Sequence, residues 1–191
     1  MPSSIPVPTR PSKEEIRATA GRIIPDVIAP ELKVLFCGIN PGLYSGATGY
    51  HFARPGNRFW PTLYRAGFMD RLLSPFEGSA MVQLGYGLTN LVERATARAD
   101  ELSIDELKEG ARRLEEKVRR YRPRYVAMLG ISAYRVAFTI PKATLGRREE
   151  TLGPALLWVL PSPSGLNAHY QLDGLTRIYA ELYWAVHQDR G

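Results

Sequence analysis

The sequence predicts an α/β fold: a single three-layer α/β/α domain around a central, mainly parallel, twisted β-sheet. Three observations carry that prediction. Short apolar runs, Leu32–Cys37, Gly87–Val92, Tyr125–Leu129 and Leu156–Leu160, have strand length and end in glycine, proline or polar residues. Helical patterns separate them, and alternation of this kind implies parallel strands covered on both faces. The length of 191 residues, 45% of them apolar, is enough for one sizeable core and near the ordinary ceiling for one compact domain.

The elements follow in order. Residues 1–11 hold four prolines and no periodic apolar face, which predicts a flexible lead-in ahead of a domain spanning 12–191. Ser12-Lys13-Glu14-Glu15 has capping-box spacing and starts a short helix reaching about Ala20. Pro25 and Pro30 bracket a linker into the first strand. Gly38 to Pro55 then reads as a long loop with four glycines, a length that in a compact domain points to function. Asn57 can cap a helix over 58–66, which Gly67 stops, and another short helix fits 75–84. Ile104, Leu107, Ala111, Leu114 and Val118 give 103–121 the spacing of an amphipathic helix. A helix over 132–138, a glycine- and charge-rich stretch over 141–153 and a last helix over 172–186 complete the chain.

Composition excludes several classes. One cysteine, Cys37, rules out an internal disulfide framework and a cysteine-ligated metal, and it lies inside an apolar strand where thiols are usually inert. His51, His169 and His187 are too far apart for a helical metal motif, so no metal is expected. The loop after the first strand lacks the dinucleotide and P-loop glycine patterns, and no nucleophile elbow occurs. No cofactor is expected. Without a signal-peptide core or a long apolar run, the reading is a cytoplasmic chain with no membrane partner. The formal charge of +6 favours an anionic partner. The seven Arg and Lys residues from Arg112 to Arg124 alternate with glutamates, as on a solvated helix face.

Two loops at strand ends carry the chemistry-bearing residues. Asn40 beside Pro41, flanked by Gly38, Ile39 and Gly42, is either a structural turn or a site where a ligand approaches backbone closely. Tyr50, His51 and Phe52 can stack on a flat ligand or pack under the loop. Leu166, between Gly165 and Asn167 in the loop Pro161-Ser162-Pro163-Ser164, either packs inward or projects as a wedge.

Gly38-Ile39-Asn40-Pro41-Gly42-Leu43, Asn57-Arg58-Phe59-Trp60 and Pro161-Ser162-Pro163-Ser164-Gly165-Leu166 occur in one order over about 32–186. With them the chain resembles the mismatch-specific uracil-DNA glycosylases, the bacterial branch of the group that includes the eukaryotic thymine-DNA glycosylases. The resemblance implies a single α/β domain without metal or cofactor. It also implies that Asn40 holds the attacking water, that Phe52 stacks on the flipped base, and that Gly42, Leu43 and Ser45 line the base pocket beside Gly38, Ile39, Tyr50 and His51. Leu166 becomes the wedge, with Gly165 and Asn167 on the unpaired base opposite and Ser162, Pro163 and Ser164 supporting the loop. Ser162 and Ala168 depart from the asparagine and arginine frequent in those relatives.

The expected activity is monofunctional: uracil, ethenocytosine or mismatched thymine is flipped from double-stranded DNA holding G·U or related mismatches, and its glycosidic bond is hydrolysed. A monomer is expected. A carboxamide is no base near neutral pH, so Asn40 can only orient water. Glu93, just past the second strand, is therefore the candidate to steady the sugar cation, with an ion pair to Arg94 as the alternative. A catalytically silent binder of mismatched or damaged DNA is the competing function, and a flavodoxin-like small-ligand domain a third.

Overall fold

A computed structural model describes residues 8–188. The part of the lead-in over residues 1–7 lies outside the described residues.

Five strands form one sheet: β1 (Val34–Gly38), β2 (Tyr86–Asn90), β3 (Tyr125–Leu129), β4 (Gly146–Leu152) and β5 (Ala155–Leu160), in the order β2-β1-β3-β5-β4. All pairs are parallel except β4 with β5. Helices α1 (Lys13–Arg17), α2 (Leu43–Thr48), α3 (Phe59–Arg65), α4 (Met81–Leu84), α5 (Ile104–Tyr121), α6 (Ile131–Ala137) and α7 (Leu172–Gln188) complete the fold, with a 3-10 turn over Pro75–Ala80 before α4.

The layers follow from strand alternation, since successive side chains point to opposite faces. Val34, Phe36, Tyr125, Ala127, Trp158 and Leu160 pack with α3 and with Leu175, Tyr179, Leu182 and Val186 of α7. Leu35, Cys37, Val126, Met128, Leu157 and Val159 meet α5 through Leu107, Ala111, Leu114 and Val118, together with α6. Each fully buried leucine in such a core contributes about 1.5–3 kcal/mol relative to exposure. Ser12 forms the capping box expected of it and Ser103 forms another; Arg58, not Asn57, is the N-cap of α3, and Asn57 Oδ1 accepts the Phe59 amide at 2.9 Å from one position earlier. Arg112, Arg113 and Arg119 of α5 pair with Glu109, Glu115 and Glu116 on its exposed face.

Two elements differ from expectation. The stretch over 141–153 contains β4, an edge strand whose residues 147–150 are all charged, a pattern that blunts edge-to-edge pairing and hides the strand from a hydropathy reading. The loop over 38–55 contains α2, whose six residues are too few to show a helical period. Among the described residues, no helix is long and apolar enough to cross a membrane.

The sheet order places a topological switch between β1 and β3. Loops leaving the strands on either side diverge there, opening a crevice at their carboxyl ends.

Candidate active site

A cavity of about 370 Å³ occupies that crevice. Each parallel strand contributes to its wall: Gly38 to Gly42 after β1, Asn90 at the end of β2, Leu129 at the end of β3, and Ser162, Pro163, Ser164, Leu166 and Asn167 after β5. Register aligns them, because Gly38 is paired with Asn90.

Asn40 is held by its amide group. Its Nδ2 donates to the Arg94 carbonyl at 3.0 Å and to Thr96 Oγ1 at 2.7 Å, while Thr96 passes its own proton to the Arg98 carbonyl. With both amide protons committed, Oδ1 is the end of the carboxamide available to accept from a ligand or water. Arg94 is itself fixed by Glu106, whose carboxyl the guanidinium holds down at about 2.

Phe52 has a positive φ of 52°, a conformation uncommon outside glycine. Its ring lies on Phe59 with centroids 4.0 Å apart and contributes to the cavity wall, so α3 backs the surface on which a flat base could rest. His51 is buried beside it, donates Nε2–H to the Pro25 carbonyl at 2.8 Å and faces the Asn90 amide through Nδ1. Burial pulls its basicity below the ordinary histidine value. Ser45 accepts the Ala53 amide and so ties α2 to the returning loop.

The loop after β5 is shaped by its own side chains. Ser162 and Ser164 hydroxyls accept the amides of Ser164 and Leu166, and the Asn167 carboxamide links the Ser162 carbonyl to the His169 amide. Tyr179 from α7 holds the Pro161 carbonyl. Arg58 completes the frame: its guanidinium donates to the carbonyls of Ser164, Asn167 and Tyr170, and its amide donates to that of Pro163. At the tip, Leu166 is 62% exposed, which removes the inward-packing alternative. Arg54 and Arg98 stand on the exposed rim of the cavity.

Several sequence expectations are corrected by this geometry. Glu93 is half-buried and absent from the cavity walls, and Arg94 pairs with Glu106 instead. The reason is register: β2 ends at Asn90, and Leu91 and Val92 then donate to the Gly38 and Ile39 carbonyls, carrying Glu93 past the crevice. Tyr50 packs edge-on against Phe76, and Leu43 begins α2; neither lines the cavity. Gly165, expected on the unpaired base opposite and not in the pocket, is seated against Gly56, whose carbonyl oxygen would be 2.9 Å from any Cβ there. Conversely, the sequence reading missed Asn90, Thr96 and Arg58. Asn90 was accessible to it, since the strand-end rule that selected Asn40 applies equally to Gly87-Leu88-Thr89-Asn90.

Burial pushes the Cys37 thiol up, away from thiolate, and among the described residues no cluster of three His, Cys, Asp or Glu could hold a metal ion.

Comparison with known proteins decides the family. The description Uracil DNA glycosylase superfamily matches residues 25–184, most of the chain and all of the cavity-lining residues but Ile24. The chain belongs to the uracil-DNA glycosylase superfamily. A solution NMR structure of a candidate uracil DNA glycosylase from Methanosarcina acetivorans shares the fold, with a TM-score of 0.61 at 16% identity, over 87% of this chain and 98% of that one. Membership of the uracil-DNA glycosylase superfamily supports glycosidic hydrolysis with DNA as the partner.

Proposed function

We propose that this superfamily member is a monofunctional glycosylase that removes uracil, and related bases such as ethenocytosine or mismatched thymine, from mismatched duplex DNA and leaves an abasic site for excision repair. The carrying observation is the anchoring of Asn40, whose committed amide leaves Oδ1 to accept a hydrogen bond from water at the cavity.

Cleavage of the deoxyribose–base bond develops positive charge on the sugar and negative charge on the departing base, as in other glycosidic hydrolyses. Asn40 orients the water without deprotonating it, so turnover is modest. Phe52, backed by Phe59, supports a stacked base, and Asn90 Oδ1 suits the N3–H of uracil or thymine while opposing the N3 lone pair of cytosine. Leu166 fills the gap left in the duplex, and Arg54 and Arg98 meet phosphates at the rim. Flipping costs a few kcal/mol of stacking and pairing, less at a mismatch, so weak pairs open preferentially.

The test is direct. Labelled duplexes bearing G·U, A·U, G·T or ethenocytosine are incubated with the protein and treated with alkali. Strand breaks at the modified site are expected, fastest for G·U, and Asn40→Ala abolishes them while binding persists. Binding without breaks in any duplex would instead identify a non-catalytic mismatch reader.

A further inference from the structure

We propose that His51 is a positioning residue that sets which end of the Asn90 carboxamide faces the base, and thereby sets selectivity for bases carrying a ring N–H. The inference rests on the glycosylase reading and deepens it. A proline carbonyl can only accept, so the 2.8 Å contact from His51 Nε2 to Pro25 O places a proton on Nε2. In the neutral ring Nδ1 is then a lone pair. The Asn90 group 3.4 Å from it must be the donating NH₂ end, not the oxygen.

Asn90 Oδ1 is consequently turned toward Gly38, where it would lie 2.6 Å from any Cβ. Gly38, Asn90 and Phe52 all line the cavity, and the Phe52 ring lies 3.2 Å from the same Cβ position. Oδ1 accepts the imide N–H of uracil or thymine and repels the N3 lone pair of cytosine.

The segment that presents the Pro25 carbonyl is itself fixed. Asp26 is ion-paired to Lys117 of α5, and Thr89 of β2 donates to Asp26 at 2.7 Å while accepting from Lys117 at 2.9 Å. Asp26 and Lys117 act on the ring with opposite signs, and burial keeps it neutral. A chain of fixed groups therefore runs from α5 through Asp26, Pro25 and His51 to Asn90.

Two isosteric variants separate the halves of the ring. In His51→Gln the side-chain amide stands near the Nε2 position, keeping the link to Pro25 without the acceptor toward Asn90. In His51→Asn the carbonyl oxygen stands near Nδ1, keeping the acceptor without the link. Single-turnover excision of uracil and of cytosine from matched duplex contexts is measured for each, and the ratio of rates is read. We expect His51→Gln to lower the uracil-over-cytosine ratio by about tenfold and His51→Asn to retain it within about threefold. In an Asn90→Ala background the His51→Gln effect on the ratio disappears, because the histidine acts through that side chain.

Equal ratios in the two single variants, or an undiminished His51→Gln effect without Asn90, would overturn the assignment. Should a variant not fold, ¹⁵N-histidine NMR of the wild-type protein decides: a neutral Nε2–H tautomer at pH 7.5 supports the proposal, and an Nδ1–H tautomer or an imidazolium ends it. If wild-type protein releases no uracil at all, the glycosylase reading fails, and the tautomer measurement still judges the His51–Asn90 contact separately.

Discussion

Replacing Arg58 with lysine tests whether the loop after β5 is held as the structure describes. The arginine donates to three loop carbonyls, those of Ser164 at 2.5 Å, Asn167 at 2.9 Å and Tyr170. A planar fork can serve diverging acceptors at once, whereas an ammonium is a point donor on a flexible stem and can satisfy one of them well. Two charge-assisted bonds are lost, each contributing about 1.5–3 kcal/mol, and water reaching the half-buried loop returns part of that. A net destabilisation of about 2–4 kcal/mol follows. For a domain of this size it corresponds to a fall in Tm of roughly 4–16 °C. Thermal unfolding gives the global figure, and amide exchange of Leu166, Asn167 and His169 reports whether the loop opens locally first. Uracil excision from duplex should fall more than excision from single strands, because the wedge acts only on a stack. A variant that melts within about 2 °C of wild type, with loop exchange and duplex rates unchanged, would refute the bracing role.

Three further outcomes are expected. Gly38→Ala puts a methyl 2.6 Å from Asn90 Oδ1 and 3.2 Å from the Phe52 ring, so stability should fall by about 1–3 kcal/mol and uracil excision by about a hundredfold or more, checked by denaturant titration and single-turnover kinetics. Leu166→Ala removes an exposed side chain and should leave stability within about 0.5 kcal/mol while slowing duplex excision about tenfold, read by comparing melting with rates on paired and unpaired substrate. Because burial lowers the His51 pKa below its ordinary 6.5, the unfolded chain binds a proton more readily than the folded one. The His51 contribution to stability is thus complete above about pH 6.5 and declines as pH falls toward the folded value; urea midpoints across pH 8 to 5 should show this decline in wild type and lose that component in His51→Gln.

The legibility of each feature followed from the range of the interactions that produce it. Strands β1, β3 and β5 are buried on both faces, so their residues had to be apolar, and α5 and α7 display on one helix everything needed to see which side is covered. By contrast β4 is an edge strand, and its pairing with β5 comes from backbone hydrogen bonds that carry little side-chain signature. Asn40 and the Leu166 loop could be found because strand-end position and unusual composition are written locally. Glu93 was misplaced because three residues past a strand end the direction of the chain depends on which carbonyls take its amides.

The sequence by itself determined the layered α/β class, the strand ends as the place for a site, and the kinship that its motifs carry, since each depends on residues close in the chain. Only the tertiary structure decided what surrounds those residues. Asn40 is oriented by Arg94 and Thr96 more than fifty positions away, Asn90 meets His51 across thirty-nine, and Arg58 grips carbonyls over a hundred residues later. Hydrogen bonds act over about 3 Å of space, and sequence separation places no limit on them.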